Sequence, residues 1–217
     1  FHVDAGECVA LLGSNGAGKT STVRAISGQA PTFSGRVEFD GVTLTGMKPY
    51  EITRRGIIQV PEGRHIFPDL TVAENMRLAA RLGPPDAARL DWLFTLFPAL
   101  KRFWQLPAGL LSGGQKQRIS IARAMIKDPG IVIFDDCLSA VDARTEKEII
   151  ANLYEYLQHK TAVIITHRIF SLFNFDTIIV MEEGRIVEQG THESLLALNG
   201  RYTEMYLRQQ EQEEKEG

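Results

Sequence analysis

The sequence predicts an α/β fold, a mostly parallel sheet covered by helices on both faces and interrupted by an all-helical insertion. Short apolar runs alternate with helix-like stretches, which is the rhythm of successive βα units. That strand signal stops between Asp69 and Asp128, where helical patterns take over. A length of 217 residues, 44% hydrophobic and 24% charged, is ordinary for a globular chain and ample for one large domain. The net charge of −3 provides no basic surface for nucleic acid. No apolar run approaches the roughly 20 residues of a membrane span, and no signal peptide is visible. The expectation is a soluble, cytoplasmic domain that meets a membrane only through a partner. Cys8 and Cys137 lie in apolar, strand-like runs and read as buried small hydrophobes of a reducing compartment, not as a disulfide.

Strands are expected at Glu7–Leu12, Arg36–Phe39, Ile57–Val60, Ile131–Phe134, Ala162–Thr166, Thr177–Met181 and Arg185–Glu188. Asp40-Gly41 and Glu183-Gly184 are turn signals, the second closing a hairpin. Thr71-Val72-Ala73-Glu74 is a capping box that opens one helix. Gly83-Pro84-Pro85-Asp86 ends that helix and starts the next. The tail from Gln209 to Gly217 is polar, acidic and expected to fray. The division that follows is a core of residues 1–68 and 129–217 with a helical subdomain at about 69–128, all in one domain.

One segment carries chemistry on its own. Gly13-Ser14-Asn15-Gly16-Ala17-Gly18-Lys19-Thr20 fits the pattern G-x-x-x-x-G-K-[ST] between an apolar strand and a helix. Glycines let the backbone turn sharply and point successive N–H groups at an anion, and a helix N-terminus adds its positive dipole end. Lys19 then serves the β/γ-phosphates of a nucleotide, and the Thr20 hydroxyl serves Mg²⁺. Ile131–Asp135 is an apolar strand ending in a carboxylate, the placement a Mg²⁺-holding aspartate needs. Leu111-Ser112-Gly113-Gly114-Gln115 is a second glycine-rich turn opening a helix, which reads equally as an N-cap or as a phosphate reader.

Taken together, these motifs resemble the ATPase subunits of ATP-binding cassette (ABC) systems over nearly the whole chain. The resemblance implies a P-loop NTPase (RecA-like) core with an inserted helical signature subdomain, binding ATP and Mg²⁺ through Gly13–Thr20 and Ser21. It implies that Leu111–Gln115 is the signature loop, with Ser112, Gly113, Gly114 and Gln115 reaching the γ-phosphate held by a second, head-to-tail domain. It makes Gln59 a metal-sensing residue that couples to a transmembrane subunit. Asp142, in Ser139-Ala140-Val141-Asp142, becomes a loop residue of the nucleotide interface, and His167 a switch on the γ-phosphate. Thr20, Gln59 and Asp135 are the implied metal group; Asp136, His167 and Gln59 are the implied catalytic group. The implied activity is ATP hydrolysis that powers transport at the inner face of a membrane.

Three departures qualify the pattern. Asp136 stands where the family normally has a glutamate that polarises water, which predicts slow turnover and keeps open a second function, a nucleotide-binding module with little hydrolysis. The chain opens at Phe1, so the family's earlier strands, with their adenine-stacking aromatic, are expected to be missing. Phe1 itself is expected to pack in the core. Finally, Glu7 to Phe103, with Val60–Pro68, looks like the importer ATPases for branched-chain amino acids. Leu111–Leu207, with Asp135–Asp142 and Ile186–His192, looks like multidrug-type exporter cassettes. That split predicts a chimera joined between Phe103 and Leu111. A soluble ABC protein of translation or DNA repair fits poorly without a basic patch, and a Ras-type GTPase fits poorly without an Asn-Lys-x-Asp sequence.

Overall fold

The computed structural model describes residues 1–63, 65–80, 86–137, 149, 151–153, 156–157, 160–166 and 175–216. A six-stranded sheet runs in the order β4-β5-β6-β1-β7-β8, formed by β1 (Cys8–Gly13), β4 (Ile57–Val60), β5 (Ile131–Asp135), β6 (Thr161–Ile165), β7 (Thr177–Glu182) and β8 (Arg185–Gly190). The first five strands of that list pair in parallel; only the β7–β8 hairpin is antiparallel. A separate ribbon pairs β2 (Glu38–Phe39) with β3 (Val42–Thr43). The strand expected at Arg36–Phe39 thus keeps only its last two residues.

Both faces of the sheet are covered, and the strand residues alternate between them. Val9 and Leu11 of β1, Ile133 of β5, Val163 and Ile165 of β6 and Ile179 of β7 share one core with Val23 of α1 (Lys19–Ile26) and Ile52 of α2 (Pro49–Arg54). On the other face, Val132, Phe134, Ala162 and Ile164 pack with Met76 of α3 (Val72–Ala80), Leu93 of α4 (Ala87–Leu96) and Ile119 and Ala122 of α6 (Gly113–Met125). α5 (Pro98–Arg102) lies between α4 and α6 in sequence and adds Leu100 to that core. With both faces buried, the strands read as unbroken apolar runs and not as alternation.

Among the described residues helices replace strands between Asp69 and Asp128, and the expected capping box is present; Gly83, Pro84 and Pro85, expected to end its helix, lie outside the described residues. Thr71 and Glu74 close the capping box before α3, with Thr71 N donating to Glu74 Oε2 at 2.8 Å. Asp86 caps α4 by accepting from Ala88 N at 3.3 Å. Buried Asn75 fastens the loop before α3, accepting from Phe67 N at 3.0 Å and donating to Phe67 O at 2.9 Å.

The tail differs from expectation. A helix runs over Arg201–Glu216 and includes most of the stretch expected to fray. Its first turn explains the difference: Tyr202 is fully buried with Leu195, and Glu188 of β8 accepts from Arg201 N and Tyr202 N at 2.5 and 2.8 Å. Tertiary burial and a carboxylate cap at one end outweigh the polar composition of the other.

Gly13, the last residue of β1, has no room for a side chain. A Cβ there would stand 2.3 Å from the Met181 carbonyl of β7, at a φ of +150°. We expect Gly13→Ala to lower the unfolding free energy by roughly 2–4 kcal/mol, read as a lower urea midpoint at unchanged slope.

Candidate functional site: the C-terminal edge of the parallel sheet

Because β4, β5, β6 and β1 point the same way, their C-terminal ends line one edge of the sheet, the usual place for ligands in parallel α/β folds. The segment Gly13–Thr20 leaves β1 there and runs into α1. Gly16 and Gly18 hold φ of +83° and +99°, and Gly18 serves as N-cap without a side chain. The first turn of α1 carries no acidic residue, so its N–H groups and dipole face outward without a competing carboxylate. The loop is braced from behind by Gly184 N, which donates to Ala17 O at 3.0 Å.

Lys19 is buried, and its ammonium donates to Gly13 O at 2.8 Å and Ser14 O at 2.9 Å. Burial lowers its pKa, and the charges of Asp136 and Asp135 oppose that shift. The cation is therefore set inside the loop, with two carboxylates near enough to support its charge.

Three predicted residues meet at one carboxylate. Thr20 Oγ1 donates to Asp135 Oδ1 at 3.0 Å, and Gln59 Nε2 donates to Asp135 Oδ2 at 2.9 Å. Gln59 sits inside β4 opposite Ile133 of β5, a register that carries its side chain to the end of the neighbouring strand. Asp135 is 1% exposed, and burial raises its carboxyl above the ordinary value against the lowering effects of the Thr20 bond, Arg24 and the Gln59 bond. Hydroxyl, carboxylate and amide oxygens are the hard donors Mg²⁺ prefers, and the group fits that ion. Gln59 now turns its oxygen to Ser27 Oγ at 2.6 Å and Gln29 Nε2 at 2.9 Å, so a rotation of its amide presents oxygen to a cation. Ser27 and Gln29 were not legible as site residues; their only signal is their place at the end of the helix that follows the glycine-rich loop.

Asp136 follows directly, half-buried and with a φ of +44°, a left-handed conformation that is strained for a residue with a side chain. Its N–H donates to Ile165 O at 3.2 Å. Asp142 and His167, with the rest of 138–148 and 167–174, lie outside the described residues.

Ser112–Gln115 occupies the N-terminus of α6, away from the glycine-rich loop. Among the described residues no hydrogen bond joins the two. Ser112 N donates to Gln115 Oε1 at 2.9 Å and Gln115 N to Ser112 Oγ at 3.4 Å, a closed capping box. The N-cap alternative describes this geometry, and the turn itself is exposed to half-buried. Phe1 is 51% exposed; it lines a cavity of about 470 Å³ with Val37, Phe39 and Ile133, distinct from the phosphate loop. Both cysteines are buried and free. Burial pushes the Cys8 thiol up to about 12 and raises that of Cys137 as well, so neither is a nucleophile at neutral pH.

Comparison with known proteins agrees with the fold. Residues 1–139 match the family described as "ABC transporter". The chain is 41% identical over 222 residues to a probable multidrug resistance ABC transporter ATP-binding/permease protein of Bacillus subtilis, covering 97% of this chain and 37% of that protein. It is 35% identical over 222 residues to an ATM1-type heavy metal exporter of Novosphingobium aromaticivorans, covering 96% of this chain and 35% of that one. A bacterial Atm1-family ABC exporter with ATP bound superposes with a TM-score of 0.82 at 32% identity, over 96% of this chain and 38% of that chain. The chain thus spans little more than a third of these relatives. Among the described residues no helix is long and apolar enough to cross a membrane. With a glycine-rich loop at the sheet edge, a family match over residues 1–139 and relatives that match almost its full length, the chain belongs to the ABC transporter family.

Proposed function

We propose that this chain is the ATP-hydrolysing part of an exporter-type transporter, working as a head-to-tail pair and joined to a transmembrane partner on the cytoplasmic side. The observation that carries the reading is the meeting of Thr20, from the phosphate loop, with Gln59 at Asp135. It joins a phosphate cradle to an oxygen-rich cation site within hydrogen-bond distance. The Novosphingobium relative and the superposed structure are named as exporters, and the matches span 96% or more of the chain, residues 103–111 included, which favours an exporter-type cassette over its full length. The importer-like pattern of Glu7–Phe103, and a join before Leu111, are not needed for this function.

In this reading the N–H groups of Gly13–Thr20 and the ammonium of Lys19 hold the phosphates, and Lys19 exchanges its two carbonyl partners for phosphate oxygens. Thr20, Asp135 and Gln59 would hold Mg²⁺, which supplies charge neutralisation on the phosphate oxygens. Asp136 is the group that orients and deprotonates water, with His167 beside the γ-phosphate. Ser112–Gln115 of the paired domain closes the site from the far side. The rest is positioning and electrostatics, as phosphoryl transfer requires.

The first test is Lys19→Ala. Loss of a charge-assisted contact weakens ATP–Mg²⁺ binding several-fold to about a hundredfold by calorimetry. Equal affinity in variant and parent rules the phosphate-loop reading out.

Asp135 adds a pH-dependent prediction. Its folded-state pKa is raised mainly by burial, so the protonated form favours folding, and that stability is lost as pH rises through the folded pKa. Asp135→Asn is neutral at every pH. It is therefore expected to raise the melting temperature of the ligand-free chain at pH 7.5, with a gain that shrinks toward pH 4. The same variant abolishes the Mg²⁺ dependence of nucleotide binding.

Asp136 is one methylene shorter than glutamate, which sets its carboxylate back from a water placed for the longer side chain. Displacement on that scale costs on the order of a hundredfold in rate. Asp136→Glu is expected to raise the single-turnover hydrolysis rate at least severalfold, with ATP affinity within about a factor of three, in a verified dimer. A lower or unchanged rate in that dimer means that Asp136 is not a displaced base, and His167 is then the first residue to test; negligible turnover of the parent in a verified dimer favours the second reading, a nucleotide-gated pairing module with little hydrolysis.

A further inference from the structure

The side-chain amide of Gln59 is engaged at both ends. Its Nε2 donates to Asp135 Oδ2 at 2.9 Å, and its Oε1 accepts from Ser27 Oγ at 2.6 Å and from Gln29 Nε2 at 2.9 Å. The carboxylate decides which way the amide points, because a carboxylate oxygen calls for a donor and so faces the amide hydrogens. The Ser27 hydroxyl has one proton and three acceptors in reach: Gln59 Oε1 at 2.6 Å, Val23 O at 2.9 Å and Arg24 O at 3.3 Å. The proton belongs on the closest of them, since two bare oxygens at that separation would repel.

Both donors are placed by one helix. Thr20 in the first turn of α1 and Ser27 at its C-cap are seven residues apart and therefore share a face. Thr20 Oγ1 donates to the other oxygen of Asp135 at 3.0 Å. The contacts thus close a ring, from the start of α1 through Asp135 and Gln59 to the end of the same helix. The turn beyond Ser27 has little freedom. Gly28 holds a φ of +72°, a Cβ there would stand 2.7 Å from the Met47 carbonyl, and Gln29 N donates to Arg24 O at 2.7 Å.

We propose that Ser27 and Gln29 are positioning residues that latch the Gln59 amide with its hydrogens on Asp135, where a cation would need an oxygen. Gln59 offers that oxygen only after both contacts break and the amide turns over. Ser27 and Gln29 thereby set the Mg²⁺ concentration at which the site assembles, and they do so by opposing the ion, not by binding it. The inference rests on the reading of Thr20, Asp135 and Gln59 as the Mg²⁺ group.

Ser27→Ala and Gln29→Ala each remove one donor to the Gln59 oxygen. In the full chain, calorimetric titration of ATP at a series of Mg²⁺ concentrations gives the Mg²⁺ midpoint at which binding tightens. Each variant is expected to lower that midpoint about threefold, and the two together about tenfold, with ATP affinity in EDTA within about twofold of the parent. In a Gln59→Ala background neither substitution moves the midpoint. Without nucleotide or metal, the Gln59 side-chain amide signals in ¹⁵N NMR are expected to shift in both variants, while the backbone amides of Val9–Leu12 in β1 stay in place. Ser27 is buried at a helix end, but Gln29 is exposed, so Gln29→Ala keeps the fold and decides the matter if Ser27→Ala does not fold. A parental or raised midpoint in Gln29→Ala overturns the proposal. So does an equal shift in the Gln59→Ala background, or an unmoved Gln59 amide. Those outcomes sink the latch alone; a parent whose ATP binding is indifferent to Mg²⁺ overturns the metal reading and the latch together.

Discussion

Asp135 is the point on which the site depends. A single buried carboxylate at the end of β5 accepts from Thr20 at the start of α1 and from Gln59 within β4. The first of these bonds reaches past β6, which lies between β5 and β1 in the sheet. Three segments far apart in sequence are thereby brought to one oxygen-rich spot. Burial makes that charge unfavourable in the ligand-free chain, and on the proposed reading a cation at the same oxygens would relieve it.

Much of this was legible because the signals are local. The glycine-rich loop, the aspartate at a strand end and the capping boxes before α3 and α6 are each set by residues within a few positions of one another. The strands were legible for a related reason, since a sheet buried on both faces demands continuous apolar runs. What escaped is non-local. Ser27 and Gln29 hold Gln59 across about thirty residues, and no short pattern announces that. The buried amide of Gln117 looks like any polar position of an amphipathic helix until its burial is seen.

The tail and the small ribbon show the same division from the other side. Arg36 and Val37 have strand-like character, yet the ladder across the Asp40-Gly41 turn counts Glu38 and Phe39, while Val37 accepts from Leu44 N and donates to Thr45 Oγ1 beyond it. Polar composition favoured fraying beyond Gln209, but Tyr202 in the core and Glu188 at the first turn hold a helix through Glu216. Composition describes a segment in isolation; burial of one end decides what the rest can do.

The central strand has a consequence for synthesis. β1 is synthesised well before either of its neighbours in the sheet, β6 and β7. Gly6 N bonds Thr161 across 155 residues, and Cys8 N bonds Asp176 across 168. Until those partners emerge, an apolar strand with two unpaired edges must wait. Such long-range pairing slows folding and lengthens the time in which the nascent chain can associate wrongly. The strand that supplies the phosphate loop is thus the one most dependent on chaperones and on an uninterrupted reading frame, and a prematurely terminated chain would expose it for good.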